Sequence, residues 1–153
     1  PVVPIGYARP KNAQHKRKAV NKYTPEGRKL IHKNLQIDTG TMLWVMRNPV
    51  RGRSIEYADN RISLYAAQYG KCAVTGKVMA PHYIHCHHKV PVSKGGTDEY
   101  ANLILICKDV HTILHASQNP TIERLLNFLN LEPMQLAKLN KLRVLAEMPP
   151  INL

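Results

Sequence analysis

The 153-residue chain lacks any apolar run near the roughly 18 residues that cross a bilayer. It also lacks the charged-then-apolar leader of a secreted protein. These absences leave no membrane partner to expect. Cysteine is scarce: Cys72, Cys86 and Cys107 are too few for a disulfide-stapled fold. Reduced thiols fit a cytoplasmic setting, either bacterial or an organellar matrix. There is no internal repeat and no initiator Met. The chain starts at Pro1 and reads as a segment of something longer. Acids are scarce too, with 10 Asp+Glu against 22 Lys+Arg and a formal net charge of +12.

That excess is uneven. Residues 1–53 carry 12 basic and 2 acidic side chains, whereas residues 54–153 carry 10 and 8. A basic segment therefore precedes a nearly balanced remainder. Its natural partner is a polyanion whose counterions are released on binding. No clear amphipathic helix directs it to a lipid surface, which favours nucleic acid. A solvated basic tail is the plain alternative. The candidate phosphate contacts are Lys16, Arg17 and Lys18 in an extended arm, then Arg47, Arg51 and Arg53, with Arg61 and Lys89 further on.

Local signals order the chain. Thr24-Pro25-Glu26 opens a helix reaching about Leu35. Residues 41–46 suit a short helix or strand ended by Pro49. Ser54 to Gly70 bound the strongest helix, with Ile55, Ala58, Ile62, Tyr65, Ala66 and Tyr69 on its apolar face. Strands are expected over 83–88 and 103–106, joined by a polar loop bent at Gly95-Gly96. A helix over 108–116 follows, with Val110, Ile113 and Leu114 inward. A further amphipathic helix carries Ile122, Leu125, Leu126 and Leu129. The last helix starts at Pro133. Its leucines at 136, 139, 142 and 145 drift around the wheel, which suggests packing on an absent partner.

Six of the eight histidines (His82, His85, His87, His88, His111, His115) lie within 34 positions of one another, from residue 82 to 115. His111 and His115 are one helical turn apart, a good start for a metal site. His87, at the end of a neighbouring strand, can supply a third imidazole. Three protein ligands leave positions open for water and substrate, as a catalytic metal requires. His88 points away from His87 on a strand and is free to take a proton from water. The Asn102 amide can hydrogen-bond the loop that carries His88.

These residues resemble the HNH nucleases, in the order His88, Asn102, His111, with the surrounding His-His-x-x-Pro, Gly-Gly and Asn-Leu pattern. The resemblance implies an α+β, ββα-metal (His-Me finger) core with flanking helices and a basic N-terminal arm. It implies His87, His111 and His115 as metal ligands, His88 as general base and Asn102 as loop clamp. The implied cofactor is one divalent ion, among Mg2+, Mn2+, Zn2+ and Ni2+. Four further segments look like the C-terminal region of group II intron-encoded reverse transcriptase/maturases. They are residues 23–28 (Tyr-Thr-Pro-Glu-Gly-Arg), 53–62, 72–76 (Cys-Ala-Val-Thr-Gly) and 85–88 (His-Cys-His-His). That likeness implies nicking of target DNA to leave a 3′-hydroxyl that primes reverse transcription. It implies intron RNA, and polymerase and maturase domains of the same polypeptide, as partners.

Two positions depart from the family. Thr75 and Val110 stand where second cysteines of two Cys-x-x-Cys knuckles would be, so no structural zinc is expected. The expected organisation is a basic DNA/RNA-binding segment (1–53), the nuclease domain (54–118) and a helical extension (119–153). The rival readings are a non-catalytic nucleic-acid-binding module of a maturase and a stand-alone HNH homing nuclease.

Overall fold

The computed structural model describes residues 23–27, 30 and 37–152. Lys16, Arg17, Lys18 and most of the helix expected after Thr24 lie outside the described residues. Its first turn is present: Gly27 N–H donates to Thr24 Oγ1 at 3.1 Å. From Ile37 onward the chain is one compact unit. The expected divisions at 53/54 and 118/119 both fall inside it.

Helix α1 (Thr39–Arg47) starts at Asp38, whose carboxylate accepts from Gly40 N and Thr41 N. The ambiguous segment is thus helical, and Asn48 ends it just before Pro49. Helix α2 (Ile55–Ala67) uses Ser54 as its N-cap, as its sequence predicts. Its buried face keeps the expected Tyr65, with Ala58, Ile62 and Ala66 half-buried, but turns toward Tyr57, Arg61 and Leu64, while Ile55 is 83% exposed. Tyr57 and Arg61 are absent from the expected apolar face, yet each buries a long apolar stem and finds a backbone carbonyl for its polar tip.

Strand β1 (Ile84–His88) pairs antiparallel with β2 (Leu103–Cys107), His87 opposite Ile104 and His88 opposite Leu103. Helix α3 (Lys108–His115) follows β2 directly, completing a strand–strand–helix unit. Val110, Ile113 and Leu114 of α3 are fully buried, as expected. Helix α2 packs on β2, and its Gln68 closes the sheet edge. The Gln68 amide accepts from Leu105 N–H and donates to Leu105 O, so that strand edge is not left unpaired.

Helices α4 (Asn119–Leu129) and α5 (Pro133–Leu145) both pack on α3. The expectation of an absent partner for α5 is corrected: Leu136, Leu139, Leu142 and Arg143 face the core of this chain. The leucine drift is resolved by placing Arg143 inside and leaving Leu145 half exposed. No described helix is long and apolar enough to cross a membrane.

Candidate active site

Alternation along β1 sends neighbouring histidines to opposite faces of the hairpin. His87 lies toward α3, its ring edge-on to His111 at 5.5 Å and to His115 at 5.2 Å. His88 lies toward α2, stacked on Tyr57 at 5.4 Å. Both line a cavity of about 220 Å3 at the strand end, with His111, His115 and Arg53. His111 and His115 reach it from successive turns of α3.

His87, His111 and His115 each offer one nitrogen within 4.8 Å of the others'. His87 Nε2 is buried and has no hydrogen-bond partner among the described residues. A buried nitrogen left unsatisfied needs a reason, and a cation among three imidazoles supplies one. Burial, then the neighbouring histidines, pushes His87 down to about 3. Burial first, then His85 and His115, lowers His111 to about 4. His115 is lowered by burial and by Arg143. All three are neutral near pH 7, the form that ligates metal. The donor set therefore fits a divalent ion, and three imidazoles suit transition metals better than Mg2+.

His88 has a partner that its sequence context does not advertise. Its Nε2 lies 2.7 Å from Asp98 Oδ1. Asp98 Oδ2 accepts from Ser54 Oγ, and Asp98 O accepts from Asn60 Nδ2 at 2.8 Å. Hydrogen bonds from Ser54, then from His88, hold the Asp98 carboxyl below its ordinary range, so it is an acceptor. The sequence shows only two adjacent acids, Asp98 and Glu99, in a polar loop, with no spacing rule attached.

The loop itself is held by Asn102. Asn102 Oδ1 accepts from Val90 N–H at 2.9 Å, and Nδ2 donates to Val90 O at 3.1 Å and Thr97 O at 2.8 Å. This closure brings Gly96 against Val90: a Cβ at Gly96 would sit 1.9 Å from Val90 O. Only glycine fits there. Gly95, at φ 83°, makes the turn that admits it.

The remaining expected residues divide. Arg47, Arg51 and Arg53 are exposed, and the Arg53 guanidinium lies 5.3 Å from the Tyr57 ring centroid. Lys89 is half-buried, with Nζ donating to Ala101 O. Arg61 is a correction: it is 4% exposed, and Nη1 donates to Asn48 O at 2.8 Å and Val45 O at 3.4 Å. Instead of reaching a phosphate, it caps the C-terminal carbonyls of α1. His82 packs edge-on to Trp44, and His85 stacks on His111 at 4.9 Å. Cys72 and Cys107 are free thiols, and the neighbouring Cys107 and Thr75 side chains hold the Cys72 thiol below its ordinary value.

Residues 70–117 match the family described as HNH endonuclease. Residues 70–117 are an HNH endonuclease domain. The two strands and α3 are its ββα-metal core, an α+β arrangement. The family that residues 70–117 match is one of phosphodiester-cleaving hydrolases. The chain is also similar to the Type IV methyl-directed restriction enzyme EcoKMcrA of Escherichia coli (strain K12), with 32% identity over 103 residues. That likeness covers 60% of this chain and 35% of the relative, so the chain spans about a third of that protein's length. No solved structure gives a significant match.

Proposed function

We propose that this chain is a metal-dependent DNA endonuclease that nicks one strand of its target, and that it is the nuclease end of a group II intron-encoded protein. The observation that carries the nuclease chemistry is the buried, unpartnered His87 Nε2 grouped with His111 and His115, beside a separate His88. A purely structural metal site would leave His88 and its Asp98 contact without a purpose.

His87, His111 and His115 hold the divalent ion. When bound, the ion supplies Lewis-acid charge to the scissile phosphate and to the departing 3′ oxygen. Asp98 accepts from His88 Nε2–H and so leaves the lone pair on Nδ1. His88 Nδ1 then takes a proton from the attacking water. Asn102 keeps the 90–97 loop closed around this histidine. Arg53, fixed over Tyr57 at the cavity, neutralises an adjacent phosphate. Arg47 and Arg51, with Lys16, Arg17 and Lys18 of the basic segment, add affinity for the DNA backbone.

The intron assignment is supported by the four maturase-like segments and by the charge asymmetry of the chain. In this reading the products are a 5′-phosphate and a 3′-hydroxyl, the latter priming reverse transcription of intron RNA. The upstream polymerase and maturase domains belong to the same polypeptide. A second reading, restriction of modified DNA, is favoured by the likeness to a methyl-directed restriction enzyme. One assay separates the two. Supercoiled plasmid, with and without cytosine methylation, is incubated with the chain and Mn2+ or with EDTA. Metal-dependent nicking indifferent to methylation supports the intron reading; double-strand cleavage confined to methylated plasmid supports the second. No cleavage with any divalent metal would refute both.

A further inference from the structure

Helix α3 spans only two turns and carries a candidate ligand in each. His115 is its last helical residue, the position where helices fray. Ala116 follows it at φ −69° rather than a left-handed glycine, so the usual glycine stop is absent. Something else must take the free carbonyls of that turn. It is Arg143 of α5, which is 1% exposed. Arg143 Nη1 faces the carbonyls of Ile113 at 2.5 Å, Leu114 at 3.2 Å and Ala116 at 3.0 Å, on both sides of His115. Nε donates to Pro149 O at 2.8 Å, which fixes the other edge of the guanidinium. No carboxylate among the described residues pairs with it. A buried guanidinium is costly unless its donors are used. Here the negative end of α3 receives the charge.

We propose that Arg143 is a positioning residue of the metal centre, locking the final turn of α3 so that His115 keeps ligand geometry with His87 and His111. The proposal rests on the reading of those three histidines as metal ligands. It also makes the C-terminal helices part of the working nuclease, although the family match stops at residue 117. The planar fork matters beside the charge, because Nη1 meets the α3 carbonyls while Nε is held on Pro149 O, which fixes the direction of the guanidinium. Lysine offers a point charge without that fork.

The test is Co2+ titration of the full chain, read by visible absorption, on wild type, R143M, R143K, H115A and V45A. Val45 is buried in α1, which carries none of the three histidines, so V45A controls for general destabilisation. Wild type should bind one Co2+. R143M should bind about 10-fold or more weakly, as expected for a residue supporting a ligand, with a spectrum moved toward that of H115A. R143K should fall between, and V45A should keep the wild-type spectrum and affinity. If R143M does not fold, R143K decides by the same comparison. Wild-type affinity and spectrum in R143M or R143K would overturn the proposal, as would equal weakening in V45A. A wild-type chain that binds no Co2+ would instead refute the ligand reading itself, and this proposal with it.

Discussion

His88 Nε2 and Asp98 Oδ1 lie 2.7 Å apart, ten residues from each other in sequence, across the closed loop. The contact ties the imidazole to α2, because the second Asp98 oxygen accepts from the helix-capping Ser54. An acceptor-only carboxylate sets the histidine tautomer. D98N offers an amide that can also donate, so the tautomer is released while the loop bonds survive. D98N should lower kcat by about 10-fold or more, short of the ~10²–10⁴ cost of losing the base itself. KM should stay nearly constant. Loss of thermal stability with wild-type kcat would show that Asp98 serves the loop alone.

Arg61 and the exposed arginines should behave oppositely. R61A removes a buried donor from the carbonyls of Val45 and Asn48. It should cost about 1–3 kcal/mol in denaturant unfolding and leave the salt dependence of DNA binding unchanged. A flattened salt slope with unaltered stability would return Arg61 to the DNA interface.

Replacing Arg47, Arg51 and Arg53 together by Gln should reduce the slope of log K against log salt by up to about 0.9 for each phosphate no longer neutralised. Folding stability should barely move, because all three are exposed. An unchanged slope would mean that these side chains face solvent rather than DNA.

The metal-free protein should lose stability in acid. His87 and His111 are pushed down to about 3 and about 4 by burial. Their unfolded forms titrate near 6.5. Between those values the unfolded chain binds more protons, so stability falls as pH drops below about 6.5 and is complete above it. Metal affinity of the folded chain should hold further into acid and fall only as pH approaches about 4, where His111 takes a proton and can no longer ligate. Chemical denaturation in EDTA between pH 4 and 8 reads the first effect. A flat profile would mean that these histidines are solvated.

Much of the core is legible in the sequence because its pattern is local. The two strands, α3, and the turn-spaced His111 and His115 follow from short-range spacing, and the structure brings His87 to them. What escapes is every case in which a charged residue turns inward. Arg61 and Arg143 look like surface residues in sequence, yet each is buried and takes the carbonyls ending another helix. A helical wheel treats arginine as polar, so it rotates α2 and finds no buried face for α5. Asp98 is hidden for a different reason. Its partner is set by how the loop closes, and closure depends on Gly96 and Asn102 together.

The most direct test of metal-dependent hydrolysis at the histidine cluster compares H88A and H111A in one experiment. Metal stoichiometry and plasmid nicking are measured on the same preparations. H88A should keep one ion per chain and lose cleavage; H111A should lose both. Normal cleavage by H88A, or retained metal in H111A, would contradict the division of labour between these histidines.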